Sequence, residues 1–191
     1  MSVNIAPFPI RLHEADRPAL LEHFVALDSE DRRLRFGSPI GDDGIRHYVA
    51  RIDFRNDGVF AVQDDSLRIV AAIHVAHAGE EAELGLSVLP DYRAAGLGSA
   101  LFARAVMHLR NRGTGAVFVH CLTENEAMMH IARKNSMKVA REGSETDARL
   151  ELSPATPQTH LFEWMQDQQA QAVRAARHHV QFSRALFGLP A

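Results

Sequence analysis

Hydrophobic positions recur every three or four residues along the first third of the chain, which predicts short amphipathic helices. These helices are predicted over Arg17–Leu27, Glu30–Phe36 and Asp42–Phe54, after a short strand at Ile10–Glu14. Ser29 directly precedes the second of them and is predicted to cap it, because a serine oxygen can accept a hydrogen bond from a free N–H of the first turn.

The period then changes to the apolar runs and alternation typical of strands. Turn residues separate three such segments, which predicts an antiparallel meander. The meander strands are Val59–Val62, Leu67–Ala76 and Ala82–Leu89. The rest of this region predicts helices at Gly98–Arg112 and Asn125–Lys134, and strands at Ala116–Leu122, Met137–Arg141 and Ala148–Leu152.

Composition excludes several classes of protein. The 191 residues are 46% hydrophobic and 24% charged, a globular balance, and the net charge of -3 gives no basic excess that would predict nucleic-acid binding. The single cysteine excludes an intramolecular disulfide and a cysteine-rich zinc site. The longest apolar run, Ile69–Ile73, is too short to span a membrane, and no signal peptide is visible. We expect a soluble cytoplasmic protein without nucleic-acid or membrane partners.

The segment from Val88 to Ser99 carries the clearest chemistry. A strand ends, a loop with Gly96 and Gly98 follows, and a helix begins. The free N–H groups at a helix start favour an anion such as a pyrophosphate, although two glycines by themselves are more typical of a plain turn. The loop is not a Walker loop, because Ser99 and Ala100 follow Gly98, and Leu101 occupies the third glycine position of a dinucleotide fingerprint.

The pattern Arg93-x-x-Gly96-x-Gly98, preceded by Val88-x-Pro90-x-Tyr92, resembles the acetyl-CoA loop of the GNAT N-acetyltransferase superfamily. Other segments are similar to further parts of that family. They are Ala82–Val88 for its fourth strand, Asn125–Met128 and Ala132–Met137 for its next helix, and Asp28–Phe36 for the entry segment of the bacterial protein-lysine acetyltransferase type. The resemblance covers about residues 9–152. It implies an α/β fold, a mixed and mostly antiparallel sheet flanked by helices.

The resemblance also implies a set of residues that bind acetyl-CoA. The backbone N–H groups of the loop would surround the pyrophosphate, the main chain of Leu86 and Val88 would bind the pantetheine arm, and the Asn125 side chain would contact that arm. The loop residues are Arg93, Ala94, Ala95, Gly96, Leu97, Gly98 and Ser99.

Glu83 is the candidate general base, because it interrupts an apolar strand and family members often carry a glutamate there. Its alternative interpretation is a strand-edge carboxylate in solvent. The tyrosine that often serves the family as general acid is replaced by Ala132, and Tyr92 is interpreted as a packing residue. Ser136-Met137 replaces the Gly-Phe pair that ends the family's helix.

Several other residues invite functional interpretations that the pattern does not favour. His74 and His77 are predicted to point to opposite faces of a strand, and His178 and His179 diverge on a helix, so no metal site is expected. His120 is interpreted as a core histidine rather than a relay or an acid, and Cys121 as a small buried hydrophobe. A solvated basic face is favoured over a CoA phosphate site for the cluster Arg133, Lys134, Lys138 and Arg141.

The chain beyond residue 152 is predicted to be a linker and a helical tail, residues 153–191. Ser153–Pro157 is linker-like, and Leu161–Phe187 predicts one long helix or two. An apolar stripe is formed by Leu161, Phe162, Met165, Ala172, Ala176, Val180 and Phe187, with Trp164 beside it. This helix is expected to pack on its own domain, to form a homodimer contact, or to cover the acceptor site; the composition leaves the three open.

The resulting expectation is an enzyme that moves an acetyl group from acetyl-CoA to a primary amine by direct attack, without a metal. The entry segment favours a protein lysine as acceptor over a small-molecule amine. Two alternatives stay open: a non-catalytic acyl-CoA-binding GNAT-like regulatory module, and a purely structural domain that binds no CoA.

Overall fold

Seven strands form one sheet in the computed structural model, which describes residues 8–187 apart from the side chains of residues 178 and 181–187. The strand order is β1-β2-β3-β4-β5-β7-β6. The strands are β1 (Ile10–Arg11), β2 (Gly58–Gln63), β3 (Ile69–Ala78), β4 (Glu81–Val88), β5 (Ala116–Leu122), β6 (Lys138–Glu142) and β7 (Glu145–Glu151). The helices are α1 (Arg17–Val25), α2 (Ser29–Phe36), α3 (Asp42–Arg51), α4 (Leu97–Asn111), α5 (Glu126–Lys134) and α6 (Pro157–Phe187).

The sheet is mixed and mostly antiparallel, which confirms the predicted fold class. Only the β4–β5 pair among the described strands is parallel. Helix α1 packs on β3 and α2 on β4 and β5, whereas α4 packs on β2, β3 and β4. The two helix layers bury the central strands, so that β2 is buried along its whole length.

Two local predictions at the N-terminal end are corrected. Asp28, and not Ser29, caps α2: its Oδ1 accepts a hydrogen bond from the Asp31 N–H at 2.8 Å. Strand β1 is shorter than predicted, because the chain turns into a 3-10 helix at Glu14–Asp16. In that turn the Asp16 carboxylate accepts a hydrogen bond from the His13 N–H at 2.9 Å.

Helix α6 is a single helix that packs against α4 and β1 through charged side chains. Arg104 of α4, with only 1% of its side chain exposed, donates to Glu163 Oε1 at 2.8 Å and to Asp167 Oδ1 at 2.6 Å. A second contact is the ion pair between Arg174 and Asp16. The helix therefore packs on the rest of its own chain, which was the first of the three arrangements expected from the sequence.

The face that α6 uses for this packing is not the predicted apolar stripe. Five large apolar side chains of that helix are between 51% and 60% exposed: Leu161, Phe162, Trp164, Met165 and Val180. Phe187, which the sequence assigned to the stripe, lies outside the described side chains. The division into a domain of residues 9–152 and a tail of residues 153–191, and the possible homodimer, stay predictions. Among the described helices, none has the length and hydropathy that crossing a membrane requires.

Candidate functional site

A cleft opens in the sheet where β4 and β5 separate. The two strands pair in parallel at only three positions, Glu81–Glu83 with Ala116–Phe118. Both strands continue past this point, and β4 remains paired with β3 along its full length. One edge of β4 is therefore unpaired from Leu84 onward.

The main chain of Leu86 and Val88 faces this unpaired edge. The Leu89 N–H donates to Val70 O of β3 at 2.9 Å. Because backbone groups alternate in direction along a strand, those of Leu86 and Val88 point away from β3 and toward the cleft. Leu86 and Val88, which the family resemblance assigns to a ligand arm, thus lie where an extended ligand can hydrogen-bond to the main chain of β4.

The glycine-bearing loop lies at the end of β4 and leads into α4. Gly96 has φ of 76° and Ala94 has φ of 60°, so the loop adopts left-handed backbone at two positions. The first intrahelical bond of α4 runs from Ala100 N to Gly96 O at 3.0 Å. The N–H groups of Leu97, Gly98 and Ser99 thus precede the helical ladder, as the first N–H groups of a helix do.

Two side chains hold this loop against the rest of the protein. The Tyr92 hydroxyl donates to Asp64 Oδ2 at 3.1 Å, and its ring packs against the core, as predicted. Arg93 forms an ion pair with Asp31 of α2, and its Nε donates to Val88 O at 3.3 Å. The Arg93 N–H is also used within the protein, since it donates to Pro90 O at 3.2 Å. The side chain of Arg93 thus connects the loop to α2.

Gly98 and Asn125 set the position of α5 beside the loop. A Cβ atom at Gly98 would lie 3.2 Å from Ile131 Cδ1 and 3.3 Å from Leu86 Cδ2, so glycine permits close packing there. The Asn125 side chain caps α5 by accepting from the Met128 N–H at 3.0 Å, and its Nδ2 donates to Leu34 O at 3.2 Å. Both amide atoms of Asn125 have protein partners, and its contact with a cofactor stays a prediction.

Glu83 occupies the last position at which β4 and β5 pair, so it lies at the closed end of the cleft. It is exposed and, within the described part of the chain, makes no hydrogen bond or ion pair. Its side chain points to the same face as Gly85 and Ser87, which contact Arg35 of α2 and His23 of α1 respectively. The alternative interpretation of Glu83 is a carboxylate on an edge strand, exposed to solvent. Its side chain is exposed, but β4 is not an edge strand, because it lies between β3 and β5.

A chain of polar side chains, not found by sequence reasoning, lies on this face. Arg35 Nη2 donates to the Tyr48 hydroxyl at 2.8 Å, and that hydroxyl lies 2.7 Å from His74 Nδ1. The other ring nitrogen of His74 lies 3.0 Å from Asp57 Oδ2. Burial lowers the pKa of His74, so a neutral ring that accepts from Tyr48 and donates to Asp57 accounts for both contacts.

The interpretation of His120 as a core histidine is wrong. Its side chain is 45% exposed, and its Nδ1 lies 2.7 Å from Asp147 Oδ1. The hydrogen bond to Asp147 raises the pKa of His120. His120 points to the same face of β5 as Phe118, so it lies on the side of the sheet that carries Glu83. The strand is buried on the face of Val117, Val119 and Cys121 but is exposed at His120 on the other face, which the apolar run did not reveal.

The remaining sequence interpretations concern the single cysteine, the basic cluster and the absence of a metal site. Cys121 is buried, with 4% exposed, and burial raises the pKa of its thiol. The basic residues Arg133, Lys134, Lys138 and Arg141 are all exposed. Lys134 Nζ lies 3.4 Å from Ser99 Oγ, at the start of α4. Among the side chains that the structure describes, no group of three or more metal-ligating residues is arranged to hold an ion.

Comparison with known protein families gives one match. The sequence model of the acetyltransferase (GNAT) family matches residues 17–136. That range contains the cleft between β4 and β5 and the whole glycine-bearing loop. No curated protein sequence matches the chain.

Solved structures with the same fold are numerous. The GNAT domain of PAT from S. lividans is 18% identical, with a TM-score of 0.65, and the match covers 75% of this chain and 89% of that one. The ribosomal-protein-S18-alanine N-acetyltransferase from Escherichia coli is 19% identical, with a TM-score of 0.58 and coverage of 78% and 96%. A cAMP-binding acyltransferase from Mycobacterium smegmatis is 19% identical, with a TM-score of 0.55 and coverage of 87% and 51%. At these identities the likeness establishes the fold.

Proposed function

The chain belongs to the GNAT acetyltransferase family, whose members use acetyl-CoA or another acyl-CoA, and from this premise we propose that it transfers the acetyl group of acetyl-CoA to a primary amine. The acceptors of GNAT acetyltransferases are amines of proteins or of small molecules. The observation that carries the proposal is the separation of β4 and β5 beyond Glu83 and Phe118, with the glycine-bearing loop at the end of the same strand.

The residues around the cleft fit acetyl-CoA. The N–H groups of Leu97, Gly98 and Ser99 begin a 15-residue helix, where backbone N–H groups and the helix dipole favour a diphosphate. Ala94, Ala95 and Gly96 are exposed in the loop before that helix. The main chain of Leu86 and Val88 supplies hydrogen-bonding groups for the amide-containing arm.

Glu83 would act as the general base of the reaction. A primary amine of the lysine type has an ordinary pKa of about 10.4 and is protonated at neutral pH, so a proton must leave before the amine can attack. Glu83, directly or through a water, accepts that proton at the closed end of the cleft. The amine nitrogen then attacks the thioester carbonyl carbon and the C–S bond breaks. The nitrogen loses its second proton to solvent, and the leaving thiolate takes a proton from solvent. A backbone N–H of β4 can stabilise the developing oxyanion.

Thermal unfolding with and without acetyl-CoA is the first test. At a hundredfold excess over Kd, binding adds about 2.7 kcal/mol to the free energy of unfolding. For a chain of this length that corresponds to roughly 5–11 °C in Tm. An equal concentration of an unrelated adenine nucleotide serves as the control. No shift at saturating acetyl-CoA rejects the proposal and favours a structural domain.

Release of free thiol in the presence of amine acceptors is the second test. We expect thiol release that depends on both acetyl-CoA and an amine, with one acetylated product per thiol. A clear shift in Tm without transfer to any protein or small amine would instead favour the regulatory module. The two measurements thus separate all three interpretations.

A further inference from the structure

Helix α2 carries three arginines, and they differ in their partners. Arg32 pairs with Asp42 at 2.8 Å, and Arg33 pairs with Glu30 and Glu124, each at 2.7 Å. Arg35 is half-buried, and within the described part of the chain it has no carboxylate partner. A half-buried cation without a counter-ion is unusual, because burial favours pairing with an anion.

The Arg35 guanidinium lies directly on β4 at Gly85. A Cβ atom at Gly85 would be 2.2 Å from Arg35 Cζ and 2.3 Å from each terminal nitrogen, so only glycine leaves room for it. Gly85 and Glu83 are two residues apart on the same face of the strand, about 7 Å along it. Glu83 likewise has no ion-pair partner among the described residues. Two unpaired charges of opposite sign therefore lie side by side at the cleft.

Aromatic rings and one hydrogen bond hold Arg35 in this position. Its Cζ lies 4.9 Å from the ring centre of Phe36, 5.5 Å from that of Tyr48 and 5.7 Å from that of Phe24. Aromatic faces attract a guanidinium but take few of its hydrogen bonds. Of its five N–H groups, only one on Nη2 donates to a described residue, the Tyr48 hydroxyl. The buried Nε has no hydrogen-bond partner among the described side chains and main chain.

The hydrogen-bonded chain behind Arg35 fixes the direction of that contact. Tyr48 is held by His74, and His74 by Asp57, so the hydroxyl that accepts from Arg35 cannot easily move. The Asp57 carboxylate contacts His74 and forms no direct ion pair with Arg35. The guanidinium is thus positioned in advance, while both N–H groups of Nη1 and one of Nη2 have no hydrogen-bond partner among the described residues.

We propose that Arg35 binds a carboxylate of the amine acceptor, and that the acceptor is a free amino acid or a similar small amino-carboxylic acid. This deepens the proposed function and rests on it: Glu83 receives the proton of the amine, and Arg35 holds the carboxylate of the same molecule. A planar guanidinium binds a carboxylate through two parallel hydrogen bonds, which makes the contact selective. A lysine inside a protein chain brings no carboxylate of its own, so the geometry favours a small acceptor over the protein lysine that the entry segment predicts.

Matched pairs of acceptors test the proposal on the unmodified protein. Thiol release from acetyl-CoA is measured with each of the common amino acids, with its carboxamide, and with a lysine peptide blocked at both ends. We expect at least one amino acid to have a kcat/KM at least tenfold above that of its carboxamide. Equal use of acids and carboxamides, or preference for the blocked peptide, overturns the proposal and leaves the acetyltransferase function standing.

Substitution of Arg35 tests the residue itself. In Arg35→Gln the preference for acid over carboxamide should fall to near one, through a higher KM for the acid, while the KM for acetyl-CoA changes less than twofold. Arg33→Gln, on the same helix, is the matched control and should keep the preference. A folded Arg35→Gln protein that keeps the preference contradicts the proposal. Should that variant fail to fold, Arg35→Lys retains the charge without the planar fork and should still lose most of the preference.

Binding measurements separate a failure of this proposal from a failure of the proposed function. If acetyl-CoA binds but no amine is acetylated, the enzymatic function is wrong. Calorimetric titration of amino acids into the protein–CoA complex then decides the remaining question. If an amino acid binds to the protein and this binding is lost in Arg35→Gln, the proposed carboxylate site is supported. If no amino acid binds, the proposal is overturned.

Discussion

Glu83 and Phe118 face each other at the last position where β4 and β5 are paired. Beyond this pair the strands separate, so Glu83 is the carboxylate that lies where the sheet opens. The position explains why an acidic residue is tolerated in the middle of a seven-stranded sheet. On one side the pairing with β3 continues past Glu83, and on the other side the pairing with β5 ends at Glu83.

Glu83→Gln should reduce kcat/KM for a good amine acceptor by about 10²–10⁴-fold, the usual contribution of a general base. The acetyl-CoA-dependent rise in Tm should be unchanged, because the amide retains the size of the side chain. Glu81→Gln is the control on the same strand and face. Glu81 pairs with Arg149 at the surface, and loss of such a pair has little effect. Unchanged turnover in Glu83→Gln would show that another group accepts the proton.

Gly96→Leu should weaken acetyl-CoA binding at least tenfold. No atom lies within 4 Å of a Cβ built at Gly96, so the side chain would fill the space in front of the N–H groups of α4. Its φ of 76° also disfavours any residue with a Cβ, by about 1–2 kcal/mol.

Gly79→Leu separates the two effects in Gly96→Leu. Gly79 lies in the β3–β4 turn, has φ of 67° and has equally open surroundings, but it is outside the loop. Both variants should lose similar stability, measured by denaturant unfolding. Only Gly96→Leu should lose the acetyl-CoA-dependent shift in Tm, and a similar loss of binding in both would refute the role of the loop.

The sequence predicts the glycine-bearing loop well because its signal is local. The loop, the strand before it and the helix after it are neighbours in the chain, and each has its own pattern. The contact between Arg35 and Gly85 joins residues from different elements, and no pattern within either element reveals it. For the same reason His120 is misassigned: an apolar run does not show that one face of its strand is exposed at this position.

The tail shows a second limit of pattern analysis. The sequence indicates an apolar face and a polar face on α6, and burial of the apolar face is the ordinary outcome. Arg104 and His108, however, lie on the buried face of α4 and need acceptors. Glu163 accepts from both, at 2.8 Å and 2.9 Å, so α6 packs through its charged side. The presence of these two basic residues among the apolar positions of α4 was the sequence feature that could have indicated this charged packing.

His23 should make the protein lose stability between pH 6.5 and pH 4. Burial lowers the pKa of His23 to about 4, and its ring nitrogens contact Ile69 O and Ser87 Oγ. The folded state therefore binds its proton less readily than the unfolded state. The contribution of His23 to the free energy of unfolding is fully present above pH 6.5. It declines by about 3 kcal/mol in all as the pH falls toward 4.

Denaturant unfolding at several pH values measures this effect. His23→Gln should unfold with a smaller pH dependence in that window, although burial also lowers the pKa of His74 and His77 and leaves part of the slope. His47→Gln, at an exposed position on α3, should retain the full slope. An identical slope in both variants would show that His23 is not the group responsible.

Glu163 should add a separate loss of stability at lower pH, between about 4.5 and 2. Its pKa is lowered to about 2 although burial opposes this, because His108, Asn111 and Arg104 all hydrogen-bond to the carboxylate. Because the pKa of Glu163 is lower in the folded state, its ionised carboxylate stabilises that state fully above pH 4.5. This contribution to the free energy of unfolding is lost as the pH falls through 2. Glu163→Gln should reduce the slope in this window and leave that of His23 intact, while the lowered pKa values of Asp16 and Asp53 keep part of the slope.

Arg104→Met should destabilise the protein by about 3–5 kcal/mol, because it leaves Glu163 and Asp167 without the buried cation that both contact. The stacking of Arg104 on the Phe60 ring, at 4.4 Å, is retained in part by the methionine side chain. Arg149→Met removes a surface cation that also contacts two carboxylates, Glu81 and Glu151, and should change stability by less than about 1 kcal/mol. Denaturant unfolding of both variants measures the difference. Because α6 packs on the side of the sheet opposite α2, acetyl transfer by the folded Arg104→Met protein should be unchanged, and a selective loss of turnover would place α6 in the acceptor site instead.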